Sequence, residues 1–181
     1  MTAANDESYD IRAILSQMRE EYWQGLSEEE VQTTEILECL VFTLGGAQYA
    51  FETRHASEVI RVPRLVRVPA VQKLICGIFN LRGEITAAID IRPLLGLPQP
   101  EIGPAGRILV VKSEQFATGL LVEEAQGVQG LCCDCFEPAS TVAPGRRLQF
   151  VRGHFNLEQG SVLLLDLEAL LSSPEILAGE P

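Results

Sequence analysis

The sequence predicts a mainly β protein whose body consists of two similar halves, preceded by an amphipathic helix. Three observations carry this reading. From residue 36 onward, short runs rich in β-branched and aromatic residues are separated by glycine and proline signals. A phrase in the middle of the chain, "GIFNLRGEI", half-recurs near its end as "GHFNLEQGSV". Ahead of both, Ile11, Ile14, Leu15, Met18, Tyr22 and Leu26 recur at three- and four-residue steps, which lines one face of a helix.

The elements follow in order. Ser8 is a candidate N-cap for the first helix and Gly25 a stop; "SEEE" at 27–30 then resembles a capping box opening a short second helix. "ILECLVFTLGGAQYAFE" gives two strands around Gly45-Gly46, a hairpin signal. "RHASEVI" places Ala56, Val59 and Ile60 at helical spacing and predicts a short helix. Pro63 and Pro69 bracket an extended, arginine-rich connection. "CGIFNLRGEITAAIDI" reads as strand, turn and strand, with Gly83 in the turn. Asp90 then caps a short helix, "RPLLGL". Prolines and glycines over 98–106 form a linker. "RILVVKSEQFATGLLV" resumes the first hairpin, and residues 122–128 replace the "HASEV" region.

At an offset of 76, Gly77, Phe79, Asn80, Leu81, Asp90, Leu94 and Leu95 match Gly153, Phe155, Asn156, Leu157, Asp166, Leu170 and Leu171, seven identities in nineteen gapless positions. That density indicates a duplication. Each half is too small to be comfortably stable alone, so the two should share a core or an interface. The repeated residues read as architecture: turns, core filling and caps. Arg82-Gly83-Glu84 become Glu158-Gln159-Gly160, so the fold does not require Arg82. The expected organisation is a helical appendage over 1–35, a duplicated body over 36–172 with halves at about 36–100 and 105–172, and a tail over 173–181.

Composition bounds the function. The 181 residues are 46% hydrophobic and carry a net charge of −11. Residues 1–38 hold ten acids and two arginines, whereas 54–92 hold seven bases against three acids. The overall balance opposes nucleic acid or an anionic membrane as the main partner, although the basic region suits an acidic protein surface. No run reaches the roughly 18 apolar residues of a membrane helix. The opening "MTAANDESYD" lacks the positive charge of a signal peptide, so a cytoplasmic protein is expected.

Reactive groups are sparse. His55 and His154 are the only histidines, and neither joins a nucleophile or a paired acid and base. Five cysteines, an odd number, oppose a disulfide framework. Cys132, Cys133 and Cys135 cluster in "LCCDCF", but a structural zinc site needs a second ligand pair downstream. No enzyme activity, metal or cofactor is therefore expected. A metal- or redox-sensing module using Cys132, Cys133 and Cys135 is the alternative function.

The ordered motifs "FTLGGAQYAFE", "ASEVIR" and "VPAVQKLICGIFNLRGEITAAIDIRPLLG" resemble the CheW family of chemotaxis coupling proteins, with the N-L-R-G turn and the following I-D-I-R as hallmarks. The resemblance covers about 36–172. It implies two five-stranded β-barrel subdomains, related to SH3 barrels, in pseudo-symmetric contact. It also implies a non-catalytic adaptor joining the regulatory domain of a histidine kinase to the cytoplasmic hairpin tip of chemoreceptors, recruited to membrane arrays without inserting in the bilayer. The receptor hairpin would lie in the groove between the barrels. Matched position by position, Glu58 of "SEVI" and Arg82 of N-L-R-G would face each other on the kinase-binding surface, beside Val59 and Ile60. The residues before 36 exceed the family core, and "TAAID" replaces a bulkier apolar strand.

Overall fold

The computed structural model describes residues 35–69, 74–112, 116–139 and 148–177. The chain divides into two units, 1–33 and 34–181, and all described residues belong to the second. The helix expected over 9–26 and the capping box at 27–30 lie outside the described residues. Among the described residues, no helix is long and apolar enough to cross a membrane.

The body is mainly β. In the first half run β1 (Ile36–Leu44), β2 (Ala47–Glu52), β3 (Ala56–Arg61), β4 (Ile75–Leu81) and β5 (Glu84–Ile89). The second half supplies β6 (Arg107–Lys112), β7 (Ala117–Val122), β8 (Glu124–Cys132), β9 (Phe136–Pro138), β10 (Val151–Leu157) and β11 (Gly160–Leu165). Two short helices follow, α1 (Leu167–Leu171) and α2 (Pro174–Leu177).

These strands form a six-stranded sheet, β8-β1-β2-β11-β10-β9, and a five-stranded sheet, β3-β6-β7-β5-β4. The sheets cut across the halves expected at 36–100 and 105–172. The β1–β2 hairpin joins strands of the second half, and β6–β7 joins strands of the first. The exchange is symmetric. β1 pairs with β8 as β6 pairs with β3, antiparallel in both cases. β2 pairs with β11 as β7 pairs with β5, parallel in both. Hydrogen-bonded pairing is blind to side-chain identity, so nothing in the linear repeat discloses which half completes which sheet.

The exchange explains how the hairpin strands are buried. Along β1, Leu40, Phe42 and Leu44 join a large cluster with Leu109, Val111, Leu120 and Val122 from β6–β7 and Leu163 and Leu165 from β11. Cys39 and Val41, on the opposite face, pack with Leu131, Phe155 and Leu164. The five-stranded sheet has its own smaller cluster around Phe79, Ala88, Ile108 and Val110. Strands buried on both faces read as continuous apolar runs, which is how "LVFTL" and "ILVV" are written. The shared core expected from the size of each half is the large cluster between the sheets.

The repeated glycines have one cause. A Cβ on Gly77 would stand 2.7 Å from the carbonyl oxygen of Val66, and one on Gly153 2.2 Å from that of Glu137. In each half a segment crosses directly over this position: Val66 bridges Ile78, and β9 pairs Glu137 with His154. The repeated Phe79 and Phe155 fill the two smaller clusters, and the repeated leucines Leu94, Leu95, Leu170 and Leu171 fill the large one.

Three local expectations differ. "RHASEVI" is not a helix: one 3-10 turn, Thr53–His55, leads into β3. β3 alternates half-buried and exposed residues because only one of its faces meets the sheet interior. "RPLLGL" forms turns around Arg92–Gly96, while its counterpart is the true helix α1. Residues 173–177 are not a free tail, since α2 buries Ile176 against the large cluster.

Candidate protein-interaction surface

β4 and β5 are joined by the two-residue turn Arg82-Gly83, and both residues have positive φ, 53° and 98°. That is the requirement of a type I′ hairpin turn, whose twist matches the flanking strands. Asn80 Oδ1 accepts a hydrogen bond from the Gly83 amide at 2.7 Å and fixes the turn. Among the described residues, Arg82 is the one non-glycine residue with positive φ. Left-handed backbone costs roughly 1–2 kcal/mol for a residue with a Cβ.

The Arg82 side chain stays 80% exposed and donates from Nη2 to Glu58 Oε2 at 2.9 Å. Glu58 lies on β3, at one edge of the five-stranded sheet, whereas Arg82 directly follows β4, the strand at the other edge. The sheet therefore curls until its two margins meet through this ion pair. Val59, the next residue on β3, is 43% exposed and points away from the interior, whereas Ile60 is half-buried against the Phe79–Ile108 cluster. Ile85, just past the turn, is 76% exposed. Arg61 ends β3, and exposed Val62, Arg64, Val66 and Arg67 follow it along the extended connection. Ion pair, apolar side chains and arginines thus occupy the β3 margin and the segment that continues it.

A second polar group was read from sequence only as a cap. Asp90 and Arg92 are 2% and 3% exposed and form a bidentate pair: Arg92 Nη2 meets Asp90 Oδ2 at 2.8 Å, and Nε meets Oδ1 at 3.0 Å. The Asp90 carboxylate also accepts from the Arg92 amide and from Gln99 Nε2. Burial alone would raise the Asp90 pKa, but hydrogen bonds from Arg92 and Gln99 outweigh it and hold the carboxyl below its ordinary value. Arg92 Nη1 goes on to the Pro100 carbonyl and to Glu123 Oε1, and that same Glu123 oxygen accepts from the Gly45 amide in the β1–β2 turn. The pair therefore ties the first half to the hairpin it donates to the other sheet. Arg92, counted with the basic region from sequence, belongs to the interior. Its one sequence signal was the Asp-x-Arg spacing at the end of an apolar strand.

Asp166 does what Asp90 was expected to do: its carboxylate accepts from the Ala169 amide at 2.9 Å and caps α1. His55 and His154 lie on different elements, near Glu168 and Glu137 respectively. Among the described residues, no three His, Cys, Asp or Glu side chains converge to hold a metal ion. Cys39 is fully buried, and burial with the nearby Glu52 charge pushes its thiol up to about 12.

Comparison with known proteins adds the following. Residues 38–175 match the model of the CheW-like domain. The chain is 35% identical over 99 residues to the chemotaxis protein CheW of Bacillus subtilis, covering 55% of this chain and 62% of that protein, less than two thirds of its length. It is 27% identical over 139 residues to the chemotaxis protein CheW of Klebsiella aerogenes, covering 77% and 84% respectively. Protein PilI of Pseudomonas aeruginosa is 28% identical over 118 residues, covering 65% and 66%. Among solved structures, the scaffolding protein TtCheW of Thermoanaerobacter tengcongensis superposes with a TM-score of 0.69 at 23% identity, covering 78% of this chain and 96% of that one.

Proposed function

This chain belongs to the CheW-like domain family, and on that premise we propose that it is a non-catalytic adaptor coupling the regulatory domain of a chemotaxis-type histidine kinase to the cytoplasmic tip of chemoreceptors. It works in the cytoplasm and reaches membrane receptor arrays through its partners. Glu58, Val59 and Arg82 form the kinase-binding surface, with Ile60 supporting β3 from beneath.

One observation carries this reading. The chain holds an arginine in left-handed backbone at the tip of an exposed hairpin, aimed at a carboxylate on another strand. An exposed ion pair contributes only about 0–1 kcal/mol to stability. The strain of the arginine is at least as large, so the arrangement does nothing net for the fold. Strained, solvent-facing residues of this kind concentrate at recognition sites. The neighbouring Val59 offers the apolar area that surrounds a charged anchor in a stable interface.

Titration calorimetry with the cognate kinase regulatory domain and, separately, with the receptor tip tests the assignment. Arg82→Glu should lower kinase affinity by about thirtyfold or more, the equivalent of about 2 kcal/mol. Its receptor affinity and melting temperature should stay close to those of the parent. Adding Glu58→Arg should restore part of the kinase affinity by rebuilding the pair in reverse. Unchanged kinase affinity in Arg82→Glu would remove Arg82 from the interface.

A further inference from the structure

The corner between β8 and β9 carries a feature that an adaptor does not need. Cys132 is the last residue of β8, and Cys133–Cys135 form a single 3-10 turn before β9 begins at Phe136. Cys132 stands at the N-cap of that turn, and the Phe136 amide closes it on the Cys133 carbonyl. A 3-10 turn advances about 6 Å over three residues, which is within the Cα separation a disulfide spans. Cys132, in extended backbone at one end of the turn, and Cys135, at the other, therefore lie within bridging distance. The Cys133 amide is held by the Glu35 carbonyl at 2.8 Å.

The thiols are placed accordingly. Cys135 is exposed and Cys132 half-buried, so a reagent in solvent can reach the pair. A side-chain hydrogen bond to Cys132 and the charge of that sulfur push the Cys135 thiol up. Cys39 lies under the sheet and Cys76 is half-buried in the other sheet's cluster. No third metal-binding side chain joins the pair among the described residues.

We propose that Cys132 and Cys135 are a reversible dithiol–disulfide pair, closed by exchange with a small disulfide such as oxidised glutathione. One thiolate attacks the reagent's S–S bond, forms a mixed disulfide and expels one glutathione thiolate. The neighbouring sulfur, having released its proton to solvent, then displaces the second glutathione from the mixed disulfide. The balance is two protein thiols and one glutathione disulfide giving one internal disulfide and two glutathione thiols. The inference rests on the geometry of this turn and is independent of the kinase-binding surface.

Incubating the folded full-length protein with oxidised glutathione, followed by intact mass and peptide mapping, tests it. The expected product has lost two hydrogens, retains three of its five thiols, and maps to a Cys132–Cys135 link that dithiothreitol reopens. Closure should quicken as pH rises, because the thiolate is the nucleophile. Cys133→Ser should close like the parent, whereas Cys132→Ser and Cys135→Ser should stop at the glutathione adduct. A parent protein that halts at the adduct, links through Cys133, joins two chains, or reacts only when denatured would overturn the proposal. The Cys133→Ser result and the parent's own mass stand even if another serine variant fails to fold.

Discussion

The two halves use the same strand order and spend their polar residues in opposite ways. At the hairpin, Arg82 of the first half stands where the second has Glu158; ten residues on, Arg92 stands where the second has Glu168. In the first half both arginines find carboxylates, Glu58 at the surface and Asp90 in the interior. In the second half the turn Glu158-Gln159 has no residue in left-handed backbone before Gly160, and Asp166 returns to the modest task of capping a helix. The repeated asparagines diverge too: Asn80 braces its own turn, whereas Asn156 donates to Glu137 on β9. Glycine, phenylalanine and leucine keep their roles because backbone approach and core volume leave few alternatives. Polar side chains were free to change partners, and that is where the halves became different.

The largest expected effect separates the two aspartates. Asp90→Ala leaves the Arg92 charge buried without its main partner and should cost about 3–5 kcal/mol in denaturant unfolding. Asp166→Ala removes a helix cap and should cost about 1 kcal/mol. Replacing both members of the buried pair, Asp90→Leu with Arg92→Met, should recover much of the first loss. Equal costs for the two alanine variants would mean that the halves depend on their aspartates in the same way.

The same contrast has a pH signature. The folded-state pKa of Asp90 lies below its unfolded value. The stability it contributes is therefore fully present above the ordinary aspartate pKa of about 3.9 and is lost as pH falls through the lower folded value. Asp90→Asn should flatten that acid limb in thermal melts taken below about pH 4. A limb of unchanged steepness would assign the acid sensitivity to other carboxylates.

At the two hairpins the expected difference is in binding. Charge reversal at Arg82 should weaken the kinase complex, whereas Glu158→Arg in the corresponding turn should leave it unchanged, with less than about 1 kcal/mol of stability change in either variant. Calorimetric titration of both variants would sharpen the assignment of one surface to the first half; equal losses would break it. The smallest effect concerns strain alone. Asn accepts left-handed backbone more readily than Arg, so Arg82→Asn should raise stability by under about 1 kcal/mol while lowering kinase affinity. A variant that gained stability and kept its affinity would make Arg82 a residue of the turn and nothing more.

The sequence by itself determined the mainly β character, the Gly45-Gly46 hairpin, the duplication, and the need for a shared core. Each of these follows from local alternation, from glycine's access to positive φ, or from the small size of either half. It pointed to Glu58 and Arg82 through resemblance, and the structure brings those two side chains together. The helical spacing of Ala56, Val59 and Ile60 was misleading, because a three-residue step also fits a strand edge with a bulge between Ala56 and Glu58. Only the tertiary structure decided that each half lends its first hairpin to the other's sheet. It alone decided that Arg92 is interior, and that a three-residue turn separates Cys132 from Cys135. Each has its own physical reason. Backbone ladders pair without regard to side chains. The burial of Arg92 depends on Pro100 and Glu123 arriving from elsewhere in the chain, and the spacing of the cysteines on one turn's pitch.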